Sequence, residues 1–360
     1  MKLHLVGGFL GSGKTTAIIA AARQLMAQKK KVGVITNDQG KYLVDTAFFR
    51  LGDVPVVEVT GGCFCCNYDD LEEQLDLLCT KIQPDVIFAE SVGSCGDLVA
   101  TVIKPLIEFS SQNIRPASFS VFTDSRLLQI RLDGEELPFS DSVVYLFDKQ
   151  IEEAGLLVIN KSDLLSKMDA EKVVALARMR YPDKVIKLQD STNEDQIREW
   201  LSLVENDPIP LPEKSLEMDY QLYGEGEARL AWLDEKIVLT VLEDNGRKVV
   251  IQVVQAIIDE LKRRSIPIGH LKFIIGADKT ECKISITTMQ VPDLEIAVPQ
   301  FFGTQISIML NGRVEMDAED FRILVNRILT SECAEMGVDF LEEQVTFFHP
   351  SFPNPTHRLP

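Results

Sequence analysis

Eight residues near the start of the chain, Gly8-Phe9-Leu10-Gly11-Ser12-Gly13-Lys14-Thr15, have the types and spacing of a phosphate-binding loop, G-x-x-x-x-G-K-[ST]. The glycines let the backbone turn its N–H groups inward around phosphate oxygens. Lys14 adds a point charge at the β- and γ-phosphates, and the Thr15 hydroxyl can ligate Mg²⁺. An ordinary glycine-rich turn is the plain alternative. The flanks argue against it: Lys2–Val6 reads as a strand just before the loop, and Thr16–Gln28 as a helix just after it. Such a helix aims its positive end at the same phosphates, which makes Gly8, Gly11, Ser12, Gly13, Lys14, Thr15 and Thr16 the candidate phosphate-side residues.

Asn160-Lys161-Ser162-Asp163 follows a second apolar run. A carboxylate at Asp163 accepts from guanine N1–H and N2–H₂ together, whereas adenine offers no matching pair of donors. Asn160 and the Lys161 stem would support the ring and the loop. Alone, these residues read equally as a helix N-cap at Ser162 or Asp163; downstream of a phosphate loop and at a strand end they favour GTP over ATP. Glu90 ends the apolar strand Val86-Ile87-Phe88-Ala89, where a carboxylate commonly sits near Mg²⁺ and its waters. With Lys14 it is the catalytic candidate, and a solvated strand end is the alternative. Gly93 would let the backbone meet the γ-phosphate. Asp45, about thirty residues past the phosphate loop, is a further Mg²⁺ candidate, with a surface acid nearly as good a reading. No arginine finger or catalytic Gln is evident, so intrinsic hydrolysis should be slow.

Cys63, Cys65 and Cys66 follow Gly61-Gly62. Three thiols within four residues can converge on one Zn²⁺ or other thiophilic cation such as Co²⁺ or Ni²⁺. A full tetrahedral shell needs a fourth ligand: Asp38, water or a partner's residue are the candidates. An incomplete shell suits a protein that gives its ion away. Burial as small hydrophobes is the alternative, which the polar loop disfavours. Cys79, Cys95, Cys282 and Cys333 are isolated in sequence and are expected to pack as hydrophobes, as are His4 and His270 in their strands; His349 and His357 are left open.

These residues need a scaffold. The 360-residue length predicts two domains, and 45% hydrophobic with 26% charged residues is ordinary for a folded soluble protein. Lys and Arg total 37 against 55 Asp and Glu, a formal charge of −18. That argues against nucleic acid or an anionic membrane as main partner, and is compatible with cations and basic proteins. The start runs straight into the phosphate loop without a signal core, no run of about 18 apolar residues exists, and the cysteine spacing is not that of a disulfide scaffold. A reduced, cytoplasmic setting is the expectation.

Strands are expected at 31–36, 54–60, 85–89, 117–122, 155–159 and 185–188, and helices at 68–82, 98–109, 141–153, 170–180 and 194–204. This alternation predicts an α/β fold, a P-loop NTPase with a mainly parallel sheet, over residues 1–206. Its ligands would sit at the carboxyl ends of the strands. Asp207-Pro208-Ile209-Pro210-Leu211-Pro212 opens a Pro-rich linker, 207–219. Strands at 236–242, 268–275, 282–288 and 305–310 with helices at 249–263 and 318–329 predict a smaller α+β, ferredoxin-like domain over 220–334, followed by an unplaced tail, 335–360.

Together these motifs resemble the CobW/HypB/UreG family of metallochaperone GTPases, its CobW-like branch in particular, over about residues 1–205. The matching strings run from Gly7 to Thr16, then Asn37-Asp38-Gln39-Gly40, Gly62-Cys63-Phe64-Cys65-Cys66, Glu90-Ser91-Val92-Gly93 and Asn160-Lys161-Ser162-Asp163-Leu164, with Gln150 and Ala154 in the segment before the guanine loop. The resemblance implies GTP hydrolysis that drives insertion of a metal or cofactor into a client metalloprotein or cofactor-dependent enzyme, often through a nucleotide-dependent homodimer. It implies that Asp45 and Glu90 belong to switch regions and that the cysteines bind the ion. Asp38 stands where that branch usually has glutamate, the usual His-rich linker is absent, and residues 215–360 match no string of the branch. Some relatives serve corrinoid-dependent enzymes, an alternative client class. A regulatory protein whose cysteines sense metal or redox state is a second reading, and a P-loop kinase, disfavoured by the guanine motif, a third.

Overall fold

Seven apolar runs pair in parallel as β1 (Lys2–Gly8), β2 (Val32–Asp38), β3 (Val56–Thr60), β4 (Val86–Glu90), β5 (Arg115–Asp124), β6 (Leu156–Asn160) and β7 (Val185–Leu188), in the order β3-β2-β4-β1-β5-β6-β7. The computed structural model describes residues 1–38, 49, 54–60, 62–110, 114–206, 209–241, 245–278, 280–301 and 303–360, with the backbone alone at Asp38 and Thr60. The strands read as unbroken apolar stretches because helices bury both faces of the sheet. Trp200, fully buried, anchors one face: its ring meets Phe122 edge-on at 5.2 Å and its indole N–H donates to Ser120 Oγ at 3.2 Å. From β1 the chain passes to β2 and β3 on one side of the sheet and later to β5, β6 and β7 on the other. The crevice at the carboxyl end of β1 is therefore the topological switch point. Register brings the polar strand ends level: Glu90 lies beside Val6 and Thr36, Phe122 beside Gly8, and Asp124 beside Asn160.

The described residues divide into two compact units, 1–226 with 352–360, and 227–351. The boundary differs from the expected 207–219 linker: Ile209 is buried in the first unit's core, and the Tyr223 hydroxyl accepts from Gly96 N at 2.9 Å. Aromatic anchors outweigh the prolines there. The expected helix over 98–109 is one π-helical turn, Val99–Ile103, running into the helix Lys104–Phe109. A helix at Ser125–Leu132, capped by the Asp124 carboxylate, escapes the sequence reading because eight residues are too few to show a period.

The second unit is an antiparallel sheet of β8 (Leu230–Thr240), β9 (Ile268–Ala277), β10 (Thr280–Ile286), β11 (Gln305–Glu315) and β12 (Asp339–Phe348), in the order β10-β9-β11-β8-β12. Without β10, this is the 4-1-3-2 order of a ferredoxin-like fold, completed by the helices Gly246–Arg263 and Ala318–Met336. β8 and β11 run beyond their expected ends through Asp234 and Arg313. Those charges are buried because they pair at 2.8 Å, and the guanidinium lies 3.7 Å from the centre of the Trp232 ring. The expected tail is a correction: 339–348 is a strand, disguised because a bulge between Glu342 and Gln344 breaks its alternation. His4 and His270 are packed as expected, against Ser118 and Glu205, and against Asn311. His349 accepts from Ala318 N at 3.0 Å.

Candidate functional site

The loop after β1 bends through left-handed backbone at Gly8, Gly11 and Gly13, with φ of 125°, 69° and 91°. A Cβ on Gly8 would lie 2.0 Å from the Phe122 carbonyl oxygen, and one on Gly13 2.4 Å from Asn160 Nδ2, so both positions demand glycine. Phe9 fixes the loop by edge-on contacts with Phe139 and Phe147. Lys14 and Thr15 open the helix Lys14–Ala27, both buried, with Thr16 beside them half-buried. Lys14 Nζ donates to the carbonyls of Gly8 at 2.6 Å and Phe9 at 3.3 Å, which holds the ammonium across the loop's concave side. The buried Ser12 hydroxyl has no hydrogen-bond partner among the described residues. A ring of inward amides, one ammonium and a spare hydroxyl fits a polyphosphate.

Thr15 Oγ1 donates to Glu90 Oε1 at 2.8 Å. This hydroxyl–carboxylate pair is a hard oxygen set of the kind that suits Mg²⁺. Gly93 packs on the phosphate loop: a Cβ there would lie 2.6 Å from Leu10 Cδ2. Gln150 Nε2 holds this segment from the far side, donating to the carbonyls of Gly93 at 3.0 Å and Cys95 at 2.8 Å. Asp45 lies outside the described residues, and Asp38 ends β2 with its side chain outside them.

At the 160–163 motif, Asn160 Nδ2 donates to Ser12 O at 2.7 Å, tying this motif to the loop after β1, and its Oδ1 accepts from Ser191 Oγ at 2.8 Å. Lys161 adopts φ 60°, and its Nζ lies 3.2 Å from Asp124 Oδ2. Burial lowers the Lys161 pKa. Burial also works against ionising Asp124, but hydrogen bonds from Arg126 and the Lys161 charge hold its carboxyl below the usual range. Asp163 stands exposed at the rim, its pKa raised by partial burial and by Asp190. Ser191 and Asp124 were missed by sequence reasoning; both lie at strand ends on the edge that bears every other motif.

The cysteine loop lies at that edge too, after β3. Cys63, Cys65 and Cys66 have sulfurs within 4.8 Å of one another, 2.8 Å from Cys63 to Cys65 and 3.7 Å from Cys65 to Cys66. The second separation matches the edge of a tetrahedron with ~2.3 Å bonds, about 3.8 Å. Asn37 clamps the loop: its Nδ2 donates to Val59 O at 3.2 Å and Gly62 O at 2.8 Å, and its Oδ1 accepts from Phe64 N at 2.8 Å. Hydrogen bonds from Cys65, Cys66 and Cys95 hold the Cys63 thiol well below its usual pKa; its thiolate in turn raises Cys65, and pushes Cys66 up to about 11. Cys95, expected to stand apart from the cluster, is instead fully buried beside Cys63 and Cys65, because the loop after β4 returns to the same sheet edge. Residues 354–358 cover the loop: Thr356 N donates to Cys65 O at 2.9 Å and Asn354 N to Cys66 Sγ at 3.3 Å, His357 meets Tyr68 edge-on and Phe109 at a tilt, and Arg358 pairs with the buried Asp97 at 2.8 Å.

Comparison with known proteins agrees with this geometry. A family model described as CobW/HypB/UreG, nucleotide-binding domain, matches residues 2–186. The chain is 29% identical over 184 residues to the zinc chaperone CobW of Sinorhizobium sp, across 45% of this chain and 51% of the relative. It is 30% identical over 172 residues to the zinc chaperone YeiR of Escherichia coli K12, across 45% and 47%. A urease accessory protein UreG of Mycobacteroides abscessus is 31% identical over 212 residues, across 54% of this chain and 81% of that one. The chain thus spans about half the length of the two zinc chaperones it matches. Among solved structures, nickel-bound HypB of Helicobacter pylori aligns with a TM-score of 0.42 at 17% identity, across 59% of this chain and 91% of that one. No described helix is long and apolar enough to cross a membrane. With that family model matched from the first strand to the seventh, the chain belongs to the CobW/HypB/UreG family through its nucleotide-binding domain.

Proposed function

We propose that this protein is a GTP-hydrolysing metallochaperone: it binds GTP with Mg²⁺, holds Zn²⁺ or a similar thiophilic cation on its cysteine loop, and uses hydrolysis to pass the ion to a client metalloprotein. Asp163 reads guanine, the loop amides and Lys14 hold the phosphates, and Thr15 and Glu90 flank Mg²⁺. Water attacks the γ-phosphorus, the bond to the β-phosphate oxygen breaks, and GDP and phosphate leave; Lys14 offsets the charge that develops, and Mg²⁺ held at Thr15 and Glu90 would supply further positive charge there. The zinc chaperones among the relatives support zinc as cargo.

One observation carries the coupling. The segment that begins at Glu90, bonded to Thr15, and packs Gly93 on Leu10 reaches the thiol cluster at Cys95. A change at the γ-phosphate or Mg²⁺ that moves this segment therefore moves a group touching the cysteines. The test is a single-turnover release assay. Zinc-loaded protein is mixed with a chelating dye and GTP, GDP or a non-hydrolysable GTP analogue. Faster zinc transfer with GTP, abolished in the Cys65→Ala, Cys66→Ala double variant because that protein retains no zinc, is expected. Equal release under all three nucleotides would reduce the protein to a nucleotide-binding regulator.

A further inference from the structure

We propose that Asp124 is a positioning residue for the nucleotide base: its carboxylate fixes the Lys161 side chain as a shelf for the flat face of a purine. This rests on the reading of residues 160–163 as the base-recognition motif. On that reading Asp163 selects the base by its edge, and the Asp124–Lys161 pair holds it by its face.

The shelf is anchored at both ends. Lys161 Nζ lies 3.2 Å from Asp124 Oδ2, and the Lys161 carbonyl accepts from Ser125 Oγ at 3.0 Å. Between those anchors Lys161 keeps a left-handed backbone with φ 60°, which a lysine adopts only where its surroundings impose it. Ser162 N, next in the chain, donates to Gln189 O at 3.1 Å and pins the loop from the β7 side. The side chains of Lys161 and Asp124 are 18% and 4% exposed, so the pair is largely out of water. A stem held in one position before the ligand arrives loses little freedom on binding.

The carboxylate is itself oriented. Arg126 donates from Nε to Oδ1 at 3.0 Å and from Nη2 to Oδ2 at 2.7 Å. Oδ2 therefore serves two cations, Arg126 and Lys161. Neutralising it leaves two like charges without the anion that joins them, and the lysine stem loses its fixed place. Capping is the plain alternative role: Arg126 N donates to Asp124 Oδ1 at 3.0 Å at the start of the helix Ser125–Leu132. An N-cap needs an acceptor and no charge, and asparagine fills it as well as aspartate. The two roles therefore separate on substitution.

Asp124→Asn in the full-length protein keeps the cap acceptor and removes the charge. Calorimetric titration should show the dissociation constants for GDP and for a non-hydrolysable GTP analogue both rising about tenfold or more. Steady-state hydrolysis should show a similar factor in KM with kcat nearly unchanged, because the shelf holds substrate and transition state alike. Lys161→Met keeps the stem without the ammonium. In that background Asp124→Asn should add less than about twofold, since the partner it acts through is gone. Thermal melts establish that each variant is folded. Wild-type affinity in Asp124→Asn, or the same loss with and without Lys161→Met, would overturn the assignment and leave Asp124 a helix cap. A wild-type protein that binds no guanine nucleotide, or prefers ATP, would instead bring down the base-recognition reading and this assignment with it.

Discussion

Replacing Asn37 by alanine should weaken zinc binding without touching GTP. The Asn37 amide makes three hydrogen bonds to the cysteine loop and its base, at 3.2, 2.8 and 2.8 Å, and the residue is 8% exposed. At about 1 kcal/mol net for each bond the loss is ~3 kcal/mol, and leaving the buried Phe64 N–H unsatisfied sets a floor of ~1–3 kcal/mol on its own. The binding-competent loop must then be recovered from a looser ensemble, so the apparent dissociation constant rises by the inverse of the population that remains. A cost of about 2–3 kcal/mol corresponds to about 30- to 150-fold, of which the loop's own closing free energy absorbs a part. An increase of at least about tenfold in zinc Kd is the expectation, measured by competition against a chelator of known affinity. Asn37→Asp keeps the acceptor for Phe64 N–H and should recover part of the loss. GTP affinity serves as internal control, because Asn37 makes no bond to the phosphate loop among those described. A folded Asn37→Ala protein with wild-type zinc affinity would refute the clamp.

Three further outcomes follow from the same geometry. On the proposed reading Asp163 accepts two guanine protons, so in Asp163→Asn GTP affinity should fall by about 100-fold and xanthosine triphosphate should become the better ligand in a nucleotide competition; unchanged GTP preference would remove Asp163 from the base site. Gly93→Ala would set a Cβ 2.6 Å from Leu10 Cδ2 and 3.1 Å from Leu10 Cα, and should weaken GTP binding through the phosphate loop more than it weakens zinc binding. Burial raises the fully enclosed Glu153 carboxyl from 4.5 to about 8, so between those values the folded state keeps a proton that the unfolded state loses. Stability should therefore fall as pH rises through that window, by ~3–5 kcal/mol in all, and Glu153→Gln should flatten the dependence in thermal melts from about pH 5 to pH 8.

Much of the first unit was legible because its signals are local. Strands buried on both faces read as apolar runs, and the 8–15 and 160–163 motifs are short strings complete within a few residues. The ferredoxin-like unit was legible in outline, but its strands were truncated where Asp234 and Arg313 interrupt them, since a pairing 79 residues apart in sequence leaves no local trace. β12 was hidden for a different, local reason: its bulge breaks the alternation of the strand. The site's supporting groups were the least visible: Asn37, Ser191 and Cys95 act across loops from separate strands, and only the sheet order reveals that those loops share one edge. Cys95 looked isolated because it is twenty-nine residues beyond Cys66, though the fold brings it to the cluster. The return of residues 352–360 to the cysteine loop rests on contacts such as Arg358 with Asp97, again without a local signature.

Equilibrium linkage tests most directly whether the two sites communicate. Calorimetric titration of zinc into the protein, alone and saturated with a non-hydrolysable GTP analogue and Mg²⁺, yields one coupling factor; titration of the analogue into apo and zinc-loaded protein yields another. If the Glu90–Cys95 segment joins the sites, the two factors must be equal, differ from unity by about 5- to 150-fold, and collapse toward unity in Gln150→Ala. Equal zinc affinity in the presence and absence of nucleotide, across a range of salt and pH, would mean that the thiols and the phosphates share an edge of the sheet and nothing more.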